Sequence, residues 1–144
     1  TINLYGDDIS QNEIVINHDL TITATKNVHT SFNAYNAFQY ITNNATLTLN
    51  AIEGCTWDMT VPAYGELIVN NNVLNIGDGL LFHSNNRLSS MAIVNYKQVN
   101  INTESRTFYY LSHGVVNYNG GKCQYNDSKV SDIFDNVMCP IYDM

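Results

Sequence analysis

Residues 64–79 read YGELIVNNNVLNIGDG, a pattern typical of short strands joined by a corner. Two short runs rich in β-branched and other apolar residues flank three asparagines at 70–72, and a Gly-Asp-Gly segment follows at 77–79. Such runs predict strands of three to six residues, and the Asn-rich break between them predicts a corner. The same order of strand, corner and strand recurs around Asn95 and Asn117. The stretch is therefore interpreted as one unit of a repeating β-structure.

Asparagine marks the repeat. An apolar residue followed by Asn occurs at intervals of 20, 25 and 22 residues, and Cys123 falls six residues after the last of these asparagines, in apparent register with Ile76 and Ile101. A coil of short strands cannot bury its apolar side alone and gains a core only by stacking on its neighbours. We therefore predict an all-β solenoid of about five coils. The corner asparagines, which stacking would align in an amide ladder, are Asn50, Asn70, Asn95 and Asn117.

Composition predicts one folded domain. The chain has 144 residues, so it is too short for two ordinary domains. Of these residues 44% are hydrophobic and only 13% are charged, so there are enough apolar side chains for a core. We assign residues 1–128 to the solenoid and residues 129–144 to a C-terminal cap or assembly tail. Within this tail, residues 132–138 predict a short helix with Ser131 as its N-cap.

The charge balance argues against two classes of partner. The formal net charge is −7, and the six Lys and Arg residues are scattered along the sequence. Nucleic acids and anionic membrane surfaces are disfavoured, because phosphate binding needs clustered cations. No apolar run is long enough to cross a bilayer. The chain has no initiator Met and no signal peptide, so we expect a processed mature form or a piece of a longer protein.

Three stretches resemble a known group of proteins. Residues 18–29 (HDLTITATKNVH), residues 43–57 (NNATLTLNAIEGCTW) and residues 64–79 are similar to degenerate coils of parallel β-helix proteins. The group includes adhesin-like surface proteins of bacteria and archaea and the tailspikes of phages. The resemblance covers residues 13–126. It implies a right-handed parallel β-helix at a cell or virion surface, with attachment to glycans or cell surfaces as its role. An antiparallel β-sandwich of the pilin or capsid kind is the alternative fold, which would explain the short strands but not the Asn offsets.

Exposed aromatic residues are the best candidates for binding. Of the consecutive residues Phe108, Tyr109 and Tyr110, at least one must face outward if the segment is a strand. Tyrosine beside Asn suits polar partners, because the ring supplies contact area and the amide supplies hydrogen bonds. The candidate binding residues are Tyr35, Tyr40, Tyr96, Tyr109 and Tyr118.

We predict an extracellular or virion-surface structural and adhesive module that binds glycan or cell surface. Self-association into a homo-oligomer or filament is expected, because the two ends of a short column expose unpaired backbone and apolar core. The alternative function is a polysaccharide lyase or glycoside hydrolase of the β-helix type. Glycoside hydrolysis generally needs two facing carboxyl groups. No two of Asp58, Glu66, Asp78 and Glu104 occupy the same place in the repeat, so no catalytic residue is assigned.

Cysteine and histidine give no clear site. The three cysteines lack the C-x-x-C spacing of zinc or redox sites. Cys55 and Cys123 are interpreted as core residues, and a disulfide between Cys123 and Cys139 is the alternative. The histidines at 18, 29, 83 and 113 are distant in sequence, so we predict no metal and no cofactor. Asn44 and Asn126 fit the N-glycosylation sequon.

Overall fold

A computed structural model of the chain describes residues 1–6, 8–11, 13–32 and 41–144. Every strand pairing within these residues is parallel, and the chain winds through about five turns of a β-solenoid. Val94 pairs in parallel with both Val69 and Val116. The predicted parallel solenoid is therefore confirmed, and the antiparallel sandwich is wrong.

Each turn passes along three faces, and the strands are numbered in chain order. The first face is a sheet of β1 (Ile2–Leu4), β4 (Leu20–Ala24), β7 (Thr46–Ala51), β10 (Val73–Ile76), β13 (Gln98–Ile101) and β15 (Lys122–Gln124). The second face contains β2 (Asp8–Gln11), β5 (Val28–Phe32), β8 (Trp57–Thr60) and β11 (Leu80–His83). The third face contains β3 (Ile14–Ile16), β6 (Ile41–Asn43), β9 (Gly65–Asn70) and β12 (Ser90–Asn95). Two long strands, β14 (Phe108–Asn117) and β16 (Phe134–Asp143), complete both the second and the third face.

The core consists of columns of like side chains from successive turns. Parallel pairing brings equivalent residues of adjacent turns into register, so that one apolar residue lies directly above another. On the second face Phe108 lies between Phe82 and Phe134, with ring centroids 5.2 and 4.6 Å away. Similar columns on the other faces consist of Leu47, Leu74 and Val99, and of Ile41, Ile68, Ile93 and Val115.

A row of buried amides runs along the solenoid from its second turn, at the corner that follows the third face. The side chain Nδ2 of Asn43 donates to Oδ1 of Asn70 at 2.8 Å, Asn70 donates to Asn95 at 2.9 Å, and Asn95 donates to Asn117 at 2.8 Å. Asn117 donates in turn to the carboxylate of Asp143 at 2.9 Å. Every amide therefore donates in the same direction along the axis, and the row ends at a group that only accepts.

The structure corrects the first member of the predicted ladder. Asn50 lies on the first face near the end of β7, where its Oδ1 accepts a hydrogen bond of 2.7 Å from the hydroxyl of Thr23. Asn43 holds the ladder position instead. A search for an apolar residue followed by Asn finds Leu49 before Asn50 but passes over Asn43, because Thr42 precedes it.

The predicted helix at residues 132–138 is wrong. A 3-10 turn, Asp127–Lys129, is capped by the side chain of Asn126 and leads into a single helical turn, α1 (Val130–Ile133). The chain then enters β16, which pairs with β14 from Phe108↔Phe134 to Asn117↔Asp143. Much of the segment assigned to a tail is thus a further strand over the preceding turn. Stacking of the Phe134 ring on Phe108 favours this extended course over a longer helix.

All three cysteines are free thiols, so the proposed disulfide between Cys123 and Cys139 is absent. Cys123 pairs with Val99 and does not share the register of Ile101, because the connection before β15 is two residues longer than the one before β13. Burial, with a smaller effect of the Asp143 carboxylate, raises the pKa of the Cys123 thiol to about 12.

Candidate functional site

The outer surface of the second face carries the main group of polar side chains. In β8 the residues Trp57 and Met59 point into the core, so the intervening Asp58 and the final Thr60 point outward. In β11 the same alternation leaves His83 outside. The parallel register then places His29 beside Asp58, and His83 beside Thr60. We refer to His29, Asp58, Thr60 and His83 as the second-face cluster.

The cluster is compact and partly shielded from water. One side-chain atom from each of His29, Asp58 and His83 lies within 4.8 Å of the other two, so the three residues could hold a metal ion. The Nε2 atom of His29 is 2.8 Å from the hydroxyl of Thr60. The rings of His29 and His83 are tilted by 30° with centroids 6.3 Å apart.

One contact within the cluster is unusual. Oδ1 of Asp58 and Nε2 of His83 touch each other directly, and both atoms are shielded from solvent. The contact lacks the geometry of a hydrogen bond, and neither atom has a hydrogen-bond partner elsewhere in the described part of the chain. The two atoms are thus in contact without the hydrogen bond that is normally expected between a carboxylate and an imidazole at such a short separation.

The sequence did not reveal this grouping. His29, Asp58 and His83 follow one another at 29 and 25 residues, which is close to the length of one turn. That spacing was a usable signal, but only the register of the second face shows that the three side chains share one surface. The expectation of no metal rested on the histidines without Asp58, and it stays a prediction.

An aromatic and charged patch adjoins the cluster. Tyr109 is the strand neighbour of His83 on one side and of Asp135 on the other. The guanidinium of Arg106 lies 4.6 Å from the centre of the Tyr109 ring and 3.3 Å from the carboxylate of Asp135. Tyr110 follows in the left-handed conformation, with φ of 55°, at the corner toward the third face, and it is exposed. Phe108 is buried, so the outward residues of this segment are the two tyrosines.

The other predicted binding residues lie elsewhere. Tyr96 and Tyr118 stack on each other with centroids 5.4 Å apart, directly after the ladder residues Asn95 and Asn117. One side of each ring is therefore covered by the other ring. The pair lies at a different corner of the solenoid from the second-face cluster. Tyr35 and Tyr40 lie outside the described residues.

The remaining polar groups do not form a second cluster with the acids considered in the sequence. Asp78 accepts from Thr103 at 2.5 Å, and Glu104 accepts from Asn126 at 2.7 Å, both in turns between faces. Glu66 is on the third face, where burial raises its pKa. Asp78 and Glu104 lie in equivalent turns of successive coils but one position apart, whereas Asp58 and Glu66 lie on different faces.

Ser112 and His113 are neighbours on the third face. The Oγ atom of Ser112 is 2.7 Å from Nδ1 of His113, and burial lowers the pKa of the histidine. The Ser112 side chain is itself buried, with 6% of the residue exposed. A substrate on the surface would therefore not reach this hydroxyl.

Comparison with protein-family models, with curated proteins and with solved structures found no match to this chain. Within the described ranges, no helix is long and apolar enough to span a membrane. The candidate site is therefore the outer surface of the second face, defined by its own geometry.

Proposed function

We propose that the chain is an extracellular or virion-surface structural and adhesive module that binds glycans through the second face. The observation that carries the proposal is the Tyr109 patch. A half-buried tyrosine ring lies under the Arg106 guanidinium and beside Asp135 and His83, on a parallel sheet. Its surface location is inferred from the resemblance of residues 13–126 to surface β-helix proteins.

This combination suits a carbohydrate. The apolar side of a sugar ring packs on an aromatic ring, while its hydroxyl groups need donors and acceptors close to that ring. Arg106 supplies donors in a fixed planar arrangement, and Asp135 supplies acceptors. Strand spacing of about 4.8 Å places polar side chains of successive turns along an extended chain of sugars.

Glycan-array binding with the labelled full chain tests the proposal. We expect binding to at least one class of surface polysaccharide, and we expect Y109A and R106A each to weaken it by about tenfold or more, as a loss of about 1.4 kcal/mol requires. Y64A is the matched control, because Tyr64 is exposed in the loop between β8 and β9, two turns from Tyr109. Equal binding by Y109A and the wild type, or no binding to any glycan of the array, would contradict the proposal.

Self-association is the second part of the proposed function. The strands β1, β2 and β3 each have a partner on one side only among the described residues. An apolar cavity of about 320 Å³ lies inside the first turns and is lined by residues that include Ile2, Ile14 and Ile16. Unpaired backbone edges next to apolar surface favour the addition of another strand, and a second copy of this chain is the proposed partner.

A further inference from the structure

We propose that the second-face cluster is a Zn²⁺ site with His29, Asp58 and His83 as its protein ligands. The three side chains come from three consecutive strands, and one donor atom from each lies within 4.8 Å of the other two. Two imidazoles and one carboxylate form a ligand set that Zn²⁺ takes in proteins. This inference does not depend on glycan binding.

The distances fit a small ion. In a tetrahedral Zn²⁺ site, bonds of about 2.0–2.2 Å hold the ligand atoms about 3.3–3.5 Å from one another. Oδ1 of Asp58 and Nε2 of His83 lie closer together than this, so binding requires small side-chain rotations that separate them, without movement of the strands. Because the ligands are mounted on a parallel sheet, little ordering cost accompanies binding.

The contact between Asp58 and His83 gives an independent reason. A carboxylate and an imidazole that only formed an ion pair would be expected to hydrogen-bond, yet Oδ1 of Asp58 and Nε2 of His83 do not. A cation bound by both side chains, once they have rotated apart to make room for it, would satisfy both solvent-shielded atoms. The hydroxyl of Thr60 contacts Nε2 of His29 and restricts the orientation of that ring, as an outer-sphere group does for a ligand.

Three protein ligands leave one position of a tetrahedral ion for water or for another molecule. The cluster is only half-buried, so this position faces the surface of the second face. We therefore expect an open site and not a fully enclosed structural one.

Isothermal titration of the chelator-treated full chain with ZnCl2 tests the proposal. We expect one Zn²⁺ per chain with micromolar or tighter affinity, and no comparable heat with Mg²⁺ or Ca²⁺, because imidazole is a poor ligand for these ions. H29A, H83A and D58N should each weaken Zn²⁺ binding by about tenfold or more, since each removes one of three ligands. H18A is the matched control, because His18 is an exposed histidine away from the cluster, and it should bind like the wild type.

Two further measurements keep the result interpretable. Far-ultraviolet circular dichroism establishes that each variant is folded, and Zn²⁺ should raise the melting temperature of D58N less than that of the wild type. Co²⁺ should give visible bands of a tetrahedral site without thiolate charge-transfer absorption. Failure of the wild type to bind Zn²⁺, unchanged binding by H83A, equal loss in H18A, or a thiolate signal from the free cysteines would each overturn the proposal.

Discussion

At the scale of single residues, the amide row supplies a polar interior that depends on complete pairing. Asn95 is fully buried, donates to Asn117 and to the carbonyl of Lys122, and accepts from Asn70 and from the backbone of Lys97. Each buried group that loses its partner costs about 1–3 kcal/mol. The row is therefore favourable only while every member is present.

We expect N95A to lower the free energy of unfolding by about 2–4 kcal/mol, because it leaves several buried groups unpaired. N75A, in a half-exposed row on the first face, should cost under about 1 kcal/mol, because water replaces its partners Thr48 and Asn100. Urea unfolding of both variants measures the difference. Losses of equal size would mean that the buried row is no more important than the exposed one.

Cys123 should be the slowest of the cysteines to alkylate in the native protein. Burial raises its pKa to about 12, so at pH 8 only about one molecule in 10⁴ carries the reactive thiolate. Iodoacetamide labelling followed by peptide mass spectrometry measures the rates of Cys123 and Cys139, which are both partly buried. The two should react alike in denaturant, and equally fast native labelling of Cys123 would contradict the burial of its thiol.

At the scale of strands, β16 depends on a close approach that a side chain would prevent. A Cβ atom on Gly114 would lie 2.5 Å from the Phe134 ring and 2.6 Å from the carbonyl oxygen of Pro140. The second contact is with backbone, so it cannot be relieved by rotation of a side chain. The absence of a side chain at this position allows β14 and β16 to pack together.

We therefore expect G114A to destabilise the protein by about 1–3 kcal/mol and to increase hydrogen exchange in Phe134–Asp143. G54A is the control, because Gly54 has a positive φ but no atom within 4 Å of an added Cβ. The G54A substitution strains the backbone at a positive φ but does not displace β16. Unchanged exchange across β16 in G114A would contradict the predicted displacement.

The strands that were predictable are those with short-range signals. Apolar alternation and the offsets after Asn70 and Asn95 indicated parallel stacking, because these features repeat from one turn to the next. The course of residues 134–138 was not predictable in this way. The acidic residues after Ser131 favour a helix start locally, but the aromatic column of Phe82 and Phe108 favours an extended Phe134, and only the register reveals that column.

At the scale of the whole molecule, the two ends differ. The strands β1 and β3 contain neither proline nor charged residues, so their free edges remain able to pair, although β2 between them contains Asp8. At the other end β16 carries Pro140, which has no N–H to donate, and the carboxylates of Asp135 and Asp143. We infer that association uses the N-terminal edge, and that two copies joined by the same edge form a closed dimer.

Light scattering after size exclusion should give twice the mass of the chain for the wild type. V15K should shift the protein to monomer, because Val15 is exposed on β3 and a lysine on an edge strand opposes pairing. M138K, at a similarly exposed position on β16, should remain a dimer. A monomeric wild type, or dissociation by M138K alone, would contradict this mode of assembly.

The outer site illustrates what the sequence alone could not provide. The sequence identified Tyr109 as a candidate from three adjacent aromatic residues, but its strand neighbours His83 and Asp135 come from the turns on either side. Turn lengths vary, so a constant spacing does not predict which side chains meet. In a repeating chain, the core positions are therefore easier to predict from the sequence than the contacts between surface side chains.

The one-way donation of the amide row limits how such a chain can grow. Its first member, Asn43, lies over the apolar Ile16, and its last acceptor, Asp143, has no proton to pass on. Neither end of the row can therefore continue the chain of side-chain hydrogen bonds into an added turn. Lengthening the solenoid by gene duplication would therefore require a copy of an internal turn, whose asparagine accepts a hydrogen bond from one neighbouring turn and donates one to the other.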